Sequence, residues 1–380
     1  MKIAMIGHKD FPCRSGGVEV VVYELATGLA KRGVDVTVYN RGREKNHNKY
    51  RELGVNVIRS FTFKKQSLNA MVYSFTATFN ALLKNYDIIH YHAIGPCVPI
   101  IVAHLFGKKT VATVHGLNWK VDKWNSFASR YLKLGERIAA KYADDVITLS
   151  EEMHRYFIET YGRGTTLIKN AVTPIPRTDD EIIKEKFNLH RGEYILYIGR
   201  ISPEKGVQDL IRAYKKTSMS KKLAIAGEMP NNDFGREIHS LTADSPDIVC
   251  TGFAEGELMH SLYSNCALYV LPSHTEGLPL TLLEAMSCGA PCLTSDIPEN
   301  REVIKDFGET FHTNDIDDLA KCIEKYSDDE SLRAASEDEM KYIYENYSYK
   351  DVIDGHIRLY NKVIGNERCE NFDCNSGVQH

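Results

Sequence analysis

Short apolar runs alternate with longer amphipathic segments along this chain, and that alternation restricts its fold more than any other feature. The first run, Lys2 to Ile6, leads through a glycine-containing loop into a stretch whose apolar residues recur every three or four positions. That spacing is typical of one buried face of a helix. Gly33 stands where such a helix would end, and Val34 to Tyr39 has the pattern of the next strand. The opening therefore predicts a parallel strand, helix, strand unit.

The same alternation continues through the first half and starts again in the second. Pro174 and Pro176, followed by a polar and charged stretch, indicate a connection between two domains. We therefore predict an α/β protein in which two Rossmann-like, doubly wound domains face each other across a cleft. Ligands of such open sheets bind at the carboxyl ends of the strands, so the cleft is the expected site. The other predicted strands are Val55–Ile58, Asp87–Tyr91, Thr110–Val114, Asp145–Leu149, Tyr194–Ile198, Lys222–Ala226, Ile248–Thr251, Ala267–Leu271 and Pro291–Thr294.

The ends of this alternation set the predicted domain boundaries. From Asp315 to Ile364 the pattern is largely helical, and the last residues are polar and poor in large apolar side chains. The predicted parts are a first domain over 1–172, a linker over 173–193, a second domain over 194–347, a helix over 348–364 and a loose tail over 365–380.

No part of the sequence has the length of a membrane-spanning segment. The longest apolar runs, such as Cys97 to Ala103, are far shorter than the roughly 20 residues needed to cross a bilayer. The first residues pass from a charge directly into a strand pattern, unlike a secretory signal. The nine cysteines are scattered and include no C-x-x-C pair, which is typical of reduced thiols. We expect a cytoplasmic protein without a disulfide framework or a zinc site.

The formal charge is divided unevenly between the two halves. Residues 1–175 hold 25 Lys and Arg against 14 Asp and Glu, a balance of +11, whereas the remainder has a balance of −15. A basic first half indicates contact with something anionic, either the inner face of a membrane or a phosphate-bearing acceptor. A chance distribution of surface charge is the alternative. Nucleic acid is not an expected partner, because no recognised nucleic-acid-binding module accompanies the basic half.

Two glutamates follow the predicted strand Ala267–Leu271 and are the most informative candidates for a site. Glu276 stands in the segment Glu276-Gly277-Leu278-Pro279, and Glu284 follows with seven residues between the two glutamates. Proline is favoured in the first turn of a helix, so we expect a helix to begin at Pro279. Its first amides would face the loop and could bind phosphate oxygens. The alternative is one acid that stabilises the helix dipole and one exposed helical glutamate.

Glu276 and Glu284 resemble the E-x7-E motif of the retaining glycosyltransferases of family 4, which have the GT-B fold. A second segment, Gly199-Arg200-Ile-Ser-Pro-Glu-Lys205-Gly206, is similar to the phosphate clamp of that family. It follows a predicted strand and precedes a predicted helix. A guanidinium and an ammonium so placed can neutralise a departing diphosphate, as a metal ion does in other enzymes.

Two segments of the first half extend the resemblance. Gly16-Gly17 is similar to the glycine pair with which the family's first domain approaches the donor diphosphate, and it matches neither a dinucleotide fingerprint nor a P-loop. His115, directly after the strand Thr110–Val114, matches the family's histidine that contacts the transferred sugar. A hydrogen-bonded structural histidine is the alternative there. The segment around Asn170 departs from the family, because Ala171 stands where a glycine is usual, and Tyr349 stands where the last helix often opens with Trp.

The resemblance implies a metal-independent retaining hexosyltransferase of bacterial capsule or exopolysaccharide assembly, similar to the rhamnosyltransferase-like subgroup. Its partners would be a nucleoside-diphosphate sugar and a glycan or lipid-linked acceptor, with no cofactor and peripheral contact with an anionic membrane. The last predicted helix would cross back to the first domain. The implied catalytic residues are Arg200, Lys205, Glu276 and His115; the implied donor-binding residues are Gly16, Gly17, Arg200, Lys205, Glu276, Gly277, Leu278 and Glu284.

Two other functions stay open at this point. A protein that binds nucleotide sugars as a non-catalytic assembly partner would share the fold but show no turnover. An epimerase of the same fold would act on the nucleotide sugar without any acceptor.

Three further patterns imitate functional sites. Asp315-Ile-Asp317 spells a metal-binding D-x-D, yet it precedes a helical stretch, so helix capping is the preferred interpretation. His90 and His92 have the spacing of two ligands on one strand face, but no third ligand is placed by the sequence. The aromatic and basic stretch from Trp119 to Lys133 predicts an amphipathic helix that packs on the sheet or touches a bilayer.

Overall fold

The protein was analysed as a computed structural model that describes residues 1–14, 16–42, 49–63, 66–117, 126–329, 331–332 and 336–365. Two sheets form the frame, one in each half of the chain. The first sheet contains β1 (Lys2–Ile6), β2 (Asp35–Gly42), β3 (Lys49–Glu52), β4 (Val55–Phe61), β5 (Ile88–His92), β6 (Lys109–Val114), β7 (Asp145–Thr148) and β8 (Thr166–Leu167). The second contains β9 (Tyr194–Ile198), β10 (Lys222–Ala226), β11 (Ile248–Gly252), β12 (Leu268–Leu271), β13 (Cys292–Ser295) and β14 (Glu309–Phe311).

Helices cover both sheets. In the first half these are α1 (Gly17–Lys31), α2 (Gln66–Leu82), α3 (Ile100–Leu105), α4 (Ser126–Tyr142) and α5 (Glu151–Tyr161). In the second half they are α6 (Glu181–Phe187), α7 (Val207–Tyr214), α8 (Asp233–Thr242), α9 (Gly256–Asn265), α10 (Leu280–Ser287), α11 (Pro298–Ile304), α12 (Ile316–Tyr326), α13 (Ser336–Asn346) and α14 (Tyr349–Val363).

The strand order of each sheet confirms the predicted doubly wound architecture. The first sheet has the order β3-β4-β2-β1-β5-β6-β7-β8, and the second has the order β11-β10-β9-β12-β13-β14. In each sheet, successive strands are added first on one side of the initial strand and then on the other. This change of side falls between β1 and β5 in the first sheet and between β9 and β12 in the second. Such switch points open a crevice at the carboxyl ends of the strands. The loops after β1, β5, β6, β9 and β12 are therefore the ones that can form a site.

The central strands are mostly apolar because helices cover both of their faces. Every residue of β9 is buried, and Ile3 to Ile6 of β1 are fully buried. Because such strands read as continuous apolar runs, most of them were predicted within one or two residues of their observed ends.

The last helix crosses back to the first half of the chain, as predicted. The side chain of Ile353 packs against α1 at Gly28. Arg32, directly after α1, pairs with Asp354 at 3.0 Å. The hydroxyl of Tyr360 lies 2.7 Å from Nδ1 of His90 in β5. Tyr360 thus belongs to the core of the first sheet, although it follows the entire second sheet in the sequence.

Several expectations differ in detail from the structure. The short strands β3, β8 and β14 were not predicted, and β3 pairs with β4 in the antiparallel direction. The helix expected to begin at Pro279 begins at Leu280, because the backbone of Pro279 is extended and occupies the position before the helix. The predicted segment from Trp119 to residue 125 and nearly all of the predicted tail lie outside the described residues.

Candidate active site

The loop after β9 carries the two candidate cations. It runs from Gly199 through Arg200 and a short 3-10 turn at Pro203–Lys205 to Gly206, which precedes α7. Gly206 has a φ of 69°, and a Cβ atom there would overlap the backbone oxygen of Pro272 after β12. Only glycine accommodates that conformation and that approach without strain. The glycine therefore brings the cationic loop against the loop that carries Glu276.

Lys205 and Glu276 form a direct ion pair. The ammonium of Lys205 donates to Oε1 of Glu276, and the hydroxyl of Ser273 donates to the same oxygen at 2.7 Å. Both charged side chains are largely buried, with 19% and 7% of their surfaces exposed. Since a buried charge needs a partner, each of these side chains holds the other in position.

Arg200 lies at the exposed end of the same loop. Two thirds of its side chain (66%) is exposed, and its guanidinium lies 3.5 Å from the carboxylate of Glu204. Its backbone oxygen accepts a hydrogen bond from the Tyr197 hydroxyl at 2.9 Å, which fixes the start of the loop. The structure thus brings Lys205, but not the guanidinium of Arg200, into contact with Glu276.

Side chains that the sequence did not indicate hold these two loops together. His274 donates its backbone N–H to the oxygen of Glu204 at 2.9 Å, and its ring lies 2.8 Å from Asp209 of α7. The hydroxyl of Ser295 donates to the backbone oxygen of Ser273 at 2.5 Å. These partners come from separate strands and helices, so no local spacing in the sequence could have predicted them.

Glu284 lies in the middle turn of α10 and is partly buried. The hydroxyl of Tyr263 donates to its Oε2 at 3.1 Å. Burial raises the pKa of Glu284 to about 7, against the smaller lowering effects of the Tyr263 hydrogen bond and the positive charge of Arg14. Arg14 belongs to the loop before α1, so the first domain places a cation near this carboxyl group. Arg14 itself pairs with Glu24.

The amino ends of α1 and α10 meet at the cleft. Neither helix has a side-chain cap, whereas Ser150, Asn232, Asp315 and Ser348 cap α5, α8, α12 and α14. A Cβ atom built on Gly17 would lie 3.7 Å from the side chain of Leu280. Two sets of N–H groups, each at the positive end of a helix dipole, are thus available where the domains meet.

Gly277 and His115 bring the two domains into backbone contact. A Cβ atom on Gly277 would overlap the backbone oxygen of His115, and the Cα atom of Gly116 is the next neighbour. The following residue, Leu278, is buried in the core of the second domain and anchors the loop there. Gly16, which precedes α1, has a φ of 127° that favours glycine. The candidate glycines therefore stand where the backbones must approach closely.

His115 lies beside several buried histidines at the carboxyl edge of the first sheet. Its Nε2 lies 3.2 Å from Nδ1 of His92, and Nε2 of His92 is buried with no hydrogen-bond partner. Burial lowers the pKa of His115 to about 4, and the nearby His356 of α14 lowers it further. His115 is therefore a neutral hydrogen-bonding group near pH 7. We did not predict this cluster. The signal available in the sequence was the position of His90 and His92 in one strand and of His115 directly after the next strand.

The patterns that imitate a metal site have other roles. Asp315 caps α12, since its carboxylate accepts the backbone N–H groups of Asp317 and Asp318 at 3.0 and 2.9 Å. That confirms the capping interpretation. Both ring nitrogens of His90 are occupied, by Tyr360 and by Thr113 at 2.7 Å each. Among the described residues, no group of three or more His, Cys, Asp or Glu is arranged to hold a metal ion.

No helix within the described parts of the chain combines the length and apolar character that a bilayer span requires.

The two halves of the chain match two families of known proteins. Residues 15–174 match the family described as Glycosyltransferase Family 4, and residues 179–346 match the one described as Glycosyl transferases group 1. The uncharacterized glycosyltransferase MJ1607 of Methanocaldococcus jannaschii is 25% identical over 95% of this chain and 98% of its own. The O-antigen chain mannosyltransferase B of Escherichia coli is 31% identical over 44% of this chain and 46% of its own.

A solved structure resembles the whole fold. Anabaena Alr3699/HepE in complex with UDP and glucose superposes with a TM-score of 0.77 at 18% identity, covering 95% of this chain and 100% of that one. Likeness at this level of identity concerns the fold.

Proposed function

This chain belongs to the glycosyltransferases of family 4 with the GT-B fold, and from that premise we propose that it is a retaining, metal-independent hexosyltransferase. The donor would be a nucleoside-diphosphate sugar, and the acceptor a glycan or lipid-linked glycan of cell-surface polysaccharide synthesis. A mannosyltransferase of O-antigen chains and a structure that holds UDP and glucose are among its relatives, which supports both parts of the proposal.

One observation carries the proposal most directly: positive groups from both domains converge where the domains meet. Lys205 and the uncapped amino end of α10 come from the second domain, and the uncapped amino end of α1 comes from the first. A departing nucleoside diphosphate gains negative charge as the bond to the sugar breaks. Groups positioned in advance stabilise that charge without reorganisation, which lowers the barrier.

We assign the parts of the donor to separate residues. Arg200, Lys205 and the amides near Gly16, Gly17, Gly277 and Leu278 would bind the diphosphate. Glu276 would accept hydroxyl groups of the transferred sugar, and Glu284 those of the ribose. His115, which is neutral, would form a hydrogen bond with the sugar from the first domain. Residues 1–172 would thus present the acceptor, and residues 194–347 would bind the donor.

The pair of Lys205 and Glu276 has a particular consequence in this scheme. Before the donor binds, each side chain satisfies the other. The donor would then bring a phosphate to Lys205 and a sugar hydroxyl to Glu276 at the same time, so neither charge is left unpaired. A ligand with a phosphate but no sugar would satisfy only Lys205, which favours the intact nucleotide sugar.

The proposed chemical step is attack by the acceptor on the same face from which the diphosphate leaves. The leaving phosphate would take the proton of the attacking hydroxyl, and the new glycosidic bond would keep the configuration of the donor. In this scheme, charge is neutralised by the side chains and amides named above rather than by a divalent cation.

The experiment is a transfer assay over a panel of donors and acceptors, in which released nucleoside diphosphate and the anomeric configuration of the product are measured. Arg200→Ala or Lys205→Ala should lower turnover about 100-fold or more, because each removes positive charge at the leaving group. Lys215→Ala, at an exposed lysine beyond α7, is the matched control and should retain full rate.

Three results would contradict the proposal. Wild-type rates in both clamp variants would exclude the clamp. An inverted product would exclude retention, and activity abolished by EDTA and restored by magnesium would exclude a metal-independent reaction. Donor binding without any release of diphosphate would instead indicate a non-catalytic binding protein.

A further inference from the structure

His92, the last residue of β5, forms a hydrogen bond with His115 at the carboxyl edge of the first sheet. In the register of the sheet, His92 pairs with Thr113 of β6, so His115 stands two residues further on, beyond the end of that strand. Nδ1 of His92 lies 3.2 Å from Nε2 of His115. Within the described residues, this is the one hydrogen bond of either ring. The nitrogen that carries the proton of this bond therefore decides how His115 can meet a ligand.

Two arrangements of protons fit this contact. Burial lowers the pKa of His92 well below its usual range and that of His115 to about 4, so each neutral ring carries one proton on one nitrogen. In the first arrangement, Nδ1–H of His92 donates to Nε2 of His115, so Nε2 of His92 is bare and His115 carries Nδ1–H. In the second, Nε2–H of His115 donates, so His92 carries its proton on Nε2 and Nδ1 of His115 is bare.

The surroundings of His92 favour the first arrangement. Its Nε2 is buried and has no hydrogen-bond partner among the described residues. The second arrangement would make this atom a buried N–H group without an acceptor, whereas the first makes it a bare nitrogen. Buried N–H groups without a partner are rarer in proteins than incompletely satisfied acceptors. The bond between the rings is therefore donated by His92.

His8 shows the same preference at a place where its partners leave no choice. The amide nitrogen of Asn40 donates to the carboxylate of Asp10 and to the backbone oxygen of Phe11, so the amide oxygen faces His8. Nε2 of His8 lies 3.0 Å from that oxygen and must donate to it. The other nitrogen of His8, Nδ1, is buried without a partner among the described residues and is bare, because the ring is neutral.

The ring of His92 is also held in its orientation. It packs on the ring of His90, with centroids 4.1 Å apart and planes tilted by 36°. The ring of His90 is fixed in turn, because its two nitrogens lie 2.7 Å from the hydroxyls of Tyr360 and Thr113. This stack limits rotation of His92 and keeps its Nδ1 directed at His115.

We propose that His92 is a positioning residue that holds the proton of His115 on Nδ1, so that His115 meets its ligand as a hydrogen-bond donor. His92 itself does not touch the ligand. Under the proposed function, on which this step rests, the partner of Nδ1–H is an oxygen of the transferred sugar. A sugar without that oxygen would leave the N–H group of His115 unpaired, and such a site discriminates strongly against it.

The first test is nuclear magnetic resonance of the full chain labelled with ¹⁵N at histidine, because the ring ¹⁵N shifts show which nitrogen carries the proton. Comparison with His115→Ala assigns the signals of His115. We expect a protonated Nδ1 and a bare Nε2 at His115 in the wild type. His92→Leu removes the donor, so the proton should appear on Nε2 as well. His92→Asn places an amide N–H near the position of Nδ1 and should keep the wild-type form.

The second test is a double-mutant cycle in the transfer assay. His92→Leu should lower kcat/KM by about tenfold, and His92→Asn should recover most of that loss. In the His115→Ala background, His92→Leu should add less than about twofold, because its effect passes through His115. His356→Leu is the matched control, since it removes a buried histidine without a hydrogen bond to His115. Its effect should be additive with that of His115→Ala.

The two tests separate this inference from the proposed function. A wild-type spectrum with the proton on Nε2 of His115 would overturn the inference and leave the function intact. Additive losses from His92→Leu and His115→Ala would also overturn it, because they would show a purely structural role for His92. A protonated Nδ1 at His115 in a protein that transfers no sugar to any acceptor would refute the function but not the role of His92.

Discussion

At the scale of single residues, Glu284 is a side chain whose protonation state depends on its surroundings. It resembles the family's second motif glutamate, and a carboxylate there would accept hydrogen bonds from two ribose hydroxyls. Burial raises its pKa to about 7, while the Tyr263 hydroxyl and the charge of Arg14 favour the ionised form. A substantial fraction of Glu284 is therefore protonated at neutral pH, which weakens it as an acceptor.

We predict that donor affinity increases as the pH rises from 6 to 8, because the carboxylate form of Glu284 gains population through its pKa of about 7. Glu284→Gln should bind the donor more weakly and should lose this pH dependence. Calorimetric titration of the nucleotide sugar across that range measures both effects. A Glu284→Gln variant with the same pH dependence as the wild type would show that another group titrates.

The sequence allowed the site to be predicted at the level of loops but not of contacts. Arg200, Lys205, Glu276 and Gly277 stand in short motifs, so their positions after β9 and β12 were predictable from spacing. The hydrogen bond from Tyr263 to Glu284 and the one between His92 and His115 join residues from different elements. A structural role was preferred to a metal site for His90 and His92, but their contact with His115 was not predicted, because the sequence does not show which strands are neighbours.

At the scale of elements, the loop before α10 is held in place by backbone packing rather than by side chains. Gly277 touches the backbone oxygen of His115, so the distance between the two domains at this point is set by the absence of a side chain. The uncapped amides of α10 lie immediately after this contact. Any added atom at Gly277 must push the first domain away from those amides.

We predict that Gly277→Ala lowers kcat/KM for transfer by about 10- to 100-fold, because a displacement of the order of 1 Å misplaces the reacting groups. The melting temperature should change little, since the domains can separate slightly without unfolding. Gly164→Ala is the control, because no atom lies within 4 Å of the added carbon. Unchanged kinetics in Gly277→Ala would show that the two backbones do not approach this closely during turnover.

The predictability of each strand follows from how deeply it is buried. Strands β1 and β9 are covered on both faces, so apart from Lys2 their sequences are continuous apolar runs. Strand β3 alternates between exposed and partly buried residues, and β8 has only two residues. These edge strands form because a neighbouring strand offers backbone N–H and C=O groups for hydrogen bonds. The local sequence pattern does not show which strand that neighbour is.

At the scale of the whole molecule, a group of histidines joins four segments of the chain. His8 follows β1, His90 and His92 lie in β5, His115 follows β6, and His356 comes from α14. The rings of His90 and His92 are 4.1 Å apart, and those of His90 and His356 are 5.7 Å apart. Burial holds the pKa values of His8, His115 and His356 at about 4. All of these rings are neutral in the folded protein near pH 7.

We predict that the protein loses stability as the pH falls from about 6.5 toward 4. In this window the unfolded chain binds protons at histidines that the folded protein keeps neutral, so acid favours unfolding. For His356, a lowering from 6.5 to about 4 corresponds to about 3 kcal/mol at the acid end of the window. Melting temperatures across this range measure the effect, and His356→Gln should reduce the slope. A melting temperature independent of pH would contradict the buried, neutral state.

The return of α14 to the first sheet has a consequence for synthesis on the ribosome. Leu359 and Tyr360 complete a core that otherwise consists of residues from the first 168 positions. Part of the apolar surface of the nascent amino-terminal half therefore stays uncovered until α14 has been translated. The carboxy-terminal half does not depend on a later segment in this way, because it supplies its own covering helices.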